Sequence, residues 1–188
     1  MTNTRKMVMI AILSALSFVL MLFSFPLIPG ASFLKVDFSI IPMFLALIMY
    51  DYKSSFGVLI LRSLLKLLLD NRGAETYIGL PMNIVALNLF LASFAILWKN
   101  KETLASFIKA SIVGTVLLTL SMLLLNYVYA VPLYATFANF DISATIGLGN
   151  YLIAMVTPFN IVEGILMAVI FYLAYVACKP ILERYRNS

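Results

Sequence analysis

Four polar residues occupy similar positions within three apolar segments of the sequence. Asn83, Asn126 and Asn160 each interrupt an apolar run, and Glu163 follows Asn160 by three residues. Counted from the outer ends expected for these segments, all four fall roughly 5–9 Å inward at a rise of about 1.5 Å per residue. Amides and carboxylates are costly in hydrocarbon unless they face a partner or a cavity. The sequence therefore predicts a polar pocket near one surface of a membrane.

Two interpretations of these amides remain open from the residues alone. An amide offers donors and an acceptor that match the imide and hydroxyl edges of a polar heterocycle, and Asn160 and Glu163 share one helix face. Alternatively, each Asn forms an interhelical hydrogen bond, a common role in membranes worth about 0.6–2 kcal/mol. We favour a ligand pocket because three helices carry such residues and because Glu163 needs a donor from a ligand or from the protein.

A charged stripe follows the predicted third helix. Arg62, Lys66 and Asp70 are spaced four residues apart, so they share one face and Lys66 can pair with Asp70. An ion pair inside the bundle is the simpler interpretation of this stripe. A charged groove that contributes to ligand binding or coupling is the alternative.

The composition indicates an integral membrane protein. Of the 188 residues 63% are hydrophobic and 11% are charged, with a mean hydropathy of +1.04, whereas soluble domains are about a quarter charged. The sequence contains no histidine, one cysteine (Cys178) and no nucleotide-binding Gly-rich loop. We therefore predict no catalytic residue and no metal site, and expect ATP-driven transport to need partner subunits.

The predicted fold is all-α, with one transmembrane domain over residues 1–188. Six helices are expected at about residues 6–25, 38–50, 54–70, 78–98, 104–130 and 157–178. The second is expected to be short and interrupted by Pro42. Two apolar loops, 26–37 and 131–156, are expected to cover part of the protein at the membrane surface. Basic residues flank the same side of these crossings, which predicts that both termini are cytoplasmic: Arg5, Lys6, Lys53, Lys99, Lys101, Lys179, Arg184 and Arg186. The polar layer then lies near the outer face.

The first helix contains a pair of small residues that would let another helix approach closely. Ala11 and Ala15 are four residues apart, a spacing typical of close helix packing. From the pattern alone, an internal packing face within this chain is the default interpretation.

The sequence resembles the riboflavin-specific branch of the membrane S subunits of bacterial energy-coupling factor (ECF) transporters. The resemblance covers nearly the whole chain and includes four segments: Ala11–Ala15, the loop Phe25–Ser39, Leu61–Lys66, and Asn160–Gly164.

This resemblance implies a function, a site and partners. S subunits bind vitamins on the extracellular side, under the loop between helices 1 and 2, and then associate with a transmembrane coupling (T) subunit and two cytoplasmic ATPases. It implies that Ala11 and Ala15 contact the coupling subunit, and that the chain lies in the bacterial plasma membrane as a multi-pass protein. Riboflavin would be cargo, so no cofactor is expected. The expected ligand-binding residues are Phe33, Leu34, Lys35, Asp37, Asn83, Asn126, Asn160 and Glu163.

Three alternatives compete with a riboflavin-binding subunit. The first is an S subunit for another ligand, such as thiamine or FMN. The second is an intramembrane enzyme that uses Glu163, Asp37 and Lys66 as acid–base groups. The third is a bundle that only scaffolds a partner.

Overall fold

The structure, a computed structural model, describes residues 3–26 and 35–186, with side chains described as far as residue 180. In these ranges the chain forms α-helices, two π-helical turns and one two-stranded ribbon. The helices are α1 (Asn3–Leu22), α2 (Ile40–Met49), α3 (Tyr52–Leu69), α4 (Ala74–Leu97), α5 (Leu104–Leu125), α6 (Val131–Phe137), α7 (Ile142–Thr145) and α8 (Thr157–Arg186). The π-helical turns, Asn126–Ala130 and Asn150–Val156, join α5 to α6 and precede α8.

The ribbon closes the segment that follows α1. Strand β1 (Phe25–Pro26) pairs antiparallel with β2 (Lys35–Val36), so that Phe25 lies opposite Val36. Helix α1 therefore ends at Leu22, three residues before the predicted end. A proline pushes the preceding residue into extended backbone, which favours a strand at Phe25 over another helical turn.

Helix α2 lies at the centre of the bundle, where it contacts α1, α3, α4 and α8. Met43, Ala46 and Leu47 are fully buried, and the ring of Phe44 stacks on Phe171 with 3.7 Å between centroids. The prediction that Pro42 interrupts this helix is wrong. Pro42 lies in the first turn of α2, where a helix makes no use of the missing N–H group.

Four helical segments of the described ranges are long and apolar enough to cross a membrane: Asn3–Leu22, Ala74–Leu97, Leu104–Phe137 and Asn150–Pro180. Helix α3 is 18 residues long but carries Lys53, Arg62 and Lys66. The protein is thus an all-α membrane protein. Close approach of two spans depends on Gly164, since a Cβ atom there would lie 2.5 Å from the hydroxyl of Thr115 on α5.

The region expected to be a loop from 131 to 156 is largely helical. The π-helical turn at Asn126–Ala130 carries α5 directly into α6, and Pro132 falls in the first turn of α6, where proline is tolerated. The second π-helical turn begins the last span at Asn150 rather than at the predicted residue 157. A π-helical turn has no simple periodic pattern, so the apolar residues of this region did not indicate a helix.

Candidate ligand-binding site

A polar cavity of about 160 Å³ lies where the ribbon meets the adjoining ends of α3 and α4. Its polar lining contains both charge signs and includes Lys35, Asp37, Lys66, Arg72, Glu75 and Asn83. Three of the predicted ligand-binding residues, Lys35, Asp37 and Asn83, therefore lie on one cavity.

Two of the cations in this cavity are already paired. Lys66 forms an ion pair with Asp70, as the sequence predicted, and Arg72 Nε lies 3.4 Å from Asp70 Oδ1. The hydrogen bond from Lys66 holds the pKa of Asp70 below its ordinary value. Asp70 thus offsets much of the positive charge beside the cavity.

Arg62 does not join this ion pair. Its side chain is 0% exposed, and NH2 donates to Asn83 Oδ1 at 2.8 Å. Lys66 and Asp70 thus form the predicted ion pair, whereas Arg62 bonds a side-chain amide of the neighbouring helix α4. The guanidinium turns to α4 because a buried cation needs an acceptor that its own helix does not offer.

Asp37 connects the ribbon to the bundle. Its Oδ1 accepts a hydrogen bond from Ser39 N at 2.7 Å, and Ser39 O accepts from the Ser17 hydroxyl at 2.6 Å. Asp37 also lies within electrostatic range of Arg62 and of Glu163. The predicted site residues Phe33 and Leu34 lie outside the described residues.

A second, aromatic cavity of about 190 Å³ shares one lining residue with the first. It is lined by Glu75, Tyr134, Phe140, Ile142 and Tyr151, and Glu75 lines both cavities. One wall, Tyr151, is 2% exposed and belongs to the π-helical turn before α8.

Asn126 stands behind the aromatic cavity, with both halves of its amide in use. The Tyr151 hydroxyl donates to Asn126 Oδ1 at 2.6 Å, and Asn126 Nδ2 donates to Met122 O at 2.8 Å. Asn126 and Tyr151 each belong to a π-helical turn, an irregularity that is frequent at functional sites. The hydrogen bond therefore ties the two irregular turns together.

Asn160 is the buried amide with a free acceptor. Its side chain is 0% exposed and Nδ2 donates to Val156 O at 2.7 Å, while Oδ1 has no partner among the described residues. A buried carbonyl without a donor is costly, so this atom is suited to accept a hydrogen bond from a ligand. Glu163, one turn further along α8, is half-buried.

The four predicted polar residues do not form one hydrogen-bonded layer. Their helices continue past the assumed ends: Asn83 lies nine residues after Ala74, and Asn126 lies eleven before Phe137. These positions are about 14–17 Å from the helix ends, whereas the sequence-based count placed those ends about 5–9 Å away. In the described part of the chain no hydrogen bond joins any two of the four. Asn83 lines the polar cavity, whereas Asn126, Asn160 and Glu163 line neither cavity, and Asn126 bonds Tyr151 of the aromatic one.

Sequence reasoning missed several lining residues. Tyr134, Phe140 and Tyr151 were recognised only as part of an apolar covering loop, and Glu75 was placed before the fourth helix rather than within it. The cluster of aromatic residues between 131 and 156 was the available signal for a binding wall.

Ala11 and Ala15 are both exposed on α1, whereas Leu13, Ser14 and Ser17 are buried. The two alanines therefore do not pack inside this chain. The internal packing face that the spacing suggested is formed instead by the neighbouring positions of the same helix.

Several known proteins are similar to this chain in sequence and in fold. The family model described as "ECF transporter, substrate-specific component" matches residues 5–175. A Streptococcus thermophilus protein named riboflavin transporter RibU is 59% identical over 184 residues, covering 98% of this chain and 87% of that protein. A Leuconostoc mesenteroides protein of the same name is 43% identical over 190 residues, covering 99% of this chain and 97% of that protein. A solved structure described as the S component of a bacterial ECF transporter has a TM-score of 0.79 at 28% identity, covering 96% of this chain and 99% of that one.

Proposed function

This chain belongs to the family of ECF transporter substrate-specific components, and from that premise we propose that it captures riboflavin for ATP-driven uptake by partner subunits. It is a transporter component and not an enzyme. The single observation that carries the choice of ligand is that an aromatic cavity and a polar cavity share the lining residue Glu75.

The aromatic cavity suits the isoalloxazine ring. This ring is flat and apolar on its faces, so it stacks favourably on tyrosine and phenylalanine side chains. Tyr134, Phe140 and Tyr151 supply such walls. The polar edge of the ring carries an imide N–H, for which the free Asn160 Oδ1 is a matching acceptor. Asn126 Oδ1 can also accept a hydrogen bond from the ligand once the Tyr151 hydroxyl no longer donates to it.

The polar cavity suits the ribityl chain. Its hydroxyl groups both donate and accept, which matches a lining that mixes carboxylates, ammonium groups and the Asn83 amide. Each cavity alone is smaller than the roughly 300 Å³ at which ligand pockets begin. Because they share Glu75, one elongated ligand with an apolar and a hydroxylated half can occupy both.

The charge balance of the polar cavity favours riboflavin over FMN. Lys66 and Arg72 are engaged by Asp70, and Asp37 and Glu75 add negative charge to the lining. A phosphate dianion would therefore meet two carboxylates with few uncommitted cations. Thiamine remains the second candidate, because Glu75 beside aromatic rings also suits an organic cation.

The proposal extends to topology and partners. We propose six crossings of the bacterial plasma membrane with both termini in the cytoplasm, so that the ligand enters from outside. Phe33, Leu34, Lys35 and Asp37 would contact the ligand from the loop between the first two helices. A transmembrane coupling subunit would dock on Ala11 and Ala15, whose exposure supports this role, and two cytoplasmic ATPases would supply the energy.

Equilibrium binding of the purified chain in detergent tests the proposal. Riboflavin fluorescence should be quenched saturably at one ligand per chain, because aromatic walls stack on the ring. FMN should bind at least about tenfold more weakly, which corresponds to about 1.4 kcal/mol of charge repulsion, and thiamine should not displace riboflavin. Absence of riboflavin binding, or displacement by thiamine at lower concentration, would contradict the assignment.

A further inference from the structure

Arg62 connects three elements that line the polar cavity, although its own side chain is not part of the lining. We propose that Arg62 is a positioning residue that sets the cavity's specificity for a hydroxylated chain by orienting Asn83. The inference rests on the proposed riboflavin binding and deepens it. It names the part of the ligand that this half of the site selects.

The groups with which Arg62 interacts all line the polar cavity. Its NH1 donates to Met21 Sδ on α1 at 2.9 Å and its NH2 to Asn83 Oδ1 on α4 at 2.8 Å, while Asp37, after β2, interacts with it electrostatically. Met21, Asn83 and Asp37 all line the polar cavity. One fully buried side chain thus contacts or attracts lining groups from three separate parts of the chain.

The chemistry of the guanidinium determines how Asn83 faces the ligand. Arginine carries donors only, so the Asn83 atom bonded to it must be the carbonyl oxygen. This orientation leaves Nδ2 as the atom with which Asn83 can donate to a ligand. A donor at that position selects a hydroxyl oxygen and offers nothing to a methyl group.

Burying this cation is costly for the bundle. A guanidinium removed from water needs compensation, and Nε has no partner among the described residues. An apolar residue of similar volume would fill the same space without that cost. Lysine would keep the charge, but a single ammonium lacks the planar guanidinium with which arginine donates to Met21 and Asn83 in two different directions.

The test compares two ligands that share the isoalloxazine ring: riboflavin, and lumiflavin, in which a methyl group replaces the ribityl chain. Arg62→Lys and Asn83→Leu should each weaken riboflavin binding about 10–100-fold, the scale of one hydrogen bond to a charged or buried group. Lumiflavin affinity should change by less than about threefold, because its methyl group has no oxygen to which Asn83 could donate. The double variant should bind riboflavin no more weakly than the worse single variant, because both act through one contact.

A matched control removes another hydrogen bond between the same two helices. The Tyr52 hydroxyl on α3 donates to Asn88 Oδ1 on α4 at 2.6 Å, and neither residue lines the polar cavity. Tyr52→Phe should leave the affinities for both flavins unchanged. Lumiflavin binding also reports whether each variant is folded, so a loss of riboflavin binding alone in Arg62→Lys or Asn83→Leu is not a folding defect.

Several outcomes would overturn the inference. Equal losses for riboflavin and lumiflavin, or an equal loss in Tyr52→Phe, would assign Arg62 to general helix packing. Unchanged riboflavin binding in Arg62→Lys, or additive losses in the double variant, would remove its action through Asn83. Failure of the unmodified chain to bind riboflavin would overturn the proposed function itself, and this inference with it.

Discussion

The buried amides differ in how many of their hydrogen-bonding atoms the protein already uses. Asn126 is engaged on both sides by Tyr151 and Met122, whereas Asn160 keeps an acceptor that no described residue satisfies. A protein contact that a ligand must displace lowers the net gain from binding. At the scale of single residues, Asn160 is therefore expected to contribute more to riboflavin affinity than Asn126.

Replacing Asn160 with leucine should weaken riboflavin binding about 10–100-fold, equivalent to about 1.4–2.7 kcal/mol for a lost buried hydrogen bond. The fold should persist because leucine has a similar volume and its side chain has no polar atom that needs a hydrogen-bond partner. Asn126→Leu should have a smaller effect in the same direction. Titration of flavin fluorescence measures both.

The matched control for the Asn160 prediction is Asn88→Leu. Asn88 Oδ1 accepts the Tyr52 hydroxyl, so, unlike Asn160 Oδ1, it is already satisfied by the protein. This variant should lower the thermal midpoint of unfolding without changing affinity. Unchanged riboflavin affinity in Asn160→Leu would assign that amide to helix–helix hydrogen bonding instead.

At the scale of elements, the short turn between α2 and α3 is held by two neighbouring helices. Lys6 of α1 pairs with Asp51 Oδ2 at 2.6 Å, and Lys99 after α4 donates to Tyr50 O at 2.6 Å. Asp51 also caps α3, accepting from Ser54 N at 2.7 Å. These contacts fix the end of the central helix α2, and with it the bundle that carries both cavities.

The pH dependence of stability tests the role of Asp51. Although burial alone raises its pKa, the hydrogen bonds from Lys6 and Ser54 lower the pKa from 3.8 to about 2. Because the folded state has the lower pKa, the stabilisation is complete above about pH 4 and is lost as the pH falls toward 2. Thermal unfolding should therefore show less acid-induced loss in Asp51→Asn than in the unmodified chain.

Asp51→Ala provides a second measurement at the same position. Loss of a helix cap should lower the stability by about 0.5–2 kcal/mol at pH 7, without altering riboflavin affinity. Parallel pH profiles for the unmodified chain and Asp51→Asn would show that the Lys6–Asp51 pair contributes nothing measurable.

At the scale of the whole molecule, the proposed binding site and the proposed docking face lie on different elements. The cavities are formed chiefly by the ribbon, α4 and the region from Val131 to Val156, whereas Ala11 and Ala15 lie in the middle of α1. Both alanines are exposed, so added bulk there meets no side chain of this chain's interior. Binding and assembly should therefore be separable by mutation.

Ala11→Trp and Ala15→Trp should each keep riboflavin binding within about threefold while abolishing co-purification with the coupling subunit and ATP-driven uptake. Bulk at a small-residue face blocks the close backbone approach on which such helix contacts depend. Ala177→Trp, at an exposed alanine of α8, is the matched control and should leave assembly intact. Normal uptake in both α1 variants would remove this face from the coupling interface.

The sequence alone determined that this is a membrane protein and that Lys66 pairs with Asp70. A chain with so few charged residues is stable only in a membrane. Burying a polar side chain such as that of Asn160 in hydrocarbon costs free energy unless it faces a partner or a cavity. Lys66 and Asp70 were predicted correctly because their pairing depends only on the four-residue repeat of one helix. The helical character of the chain followed from the same local periodicity.

The tertiary structure alone decided which residues share a cavity. Arg62 bonds Asn83 across 21 positions of the sequence and Tyr151 reaches Asn126 across 25, and no local pattern specifies such pairings. The π-helical turns that bring Tyr151 to Asn126 also break the 3.6-residue repeat on which sequence reasoning depends. A helix period defines a face of each segment, but only packing between segments determines what that face meets.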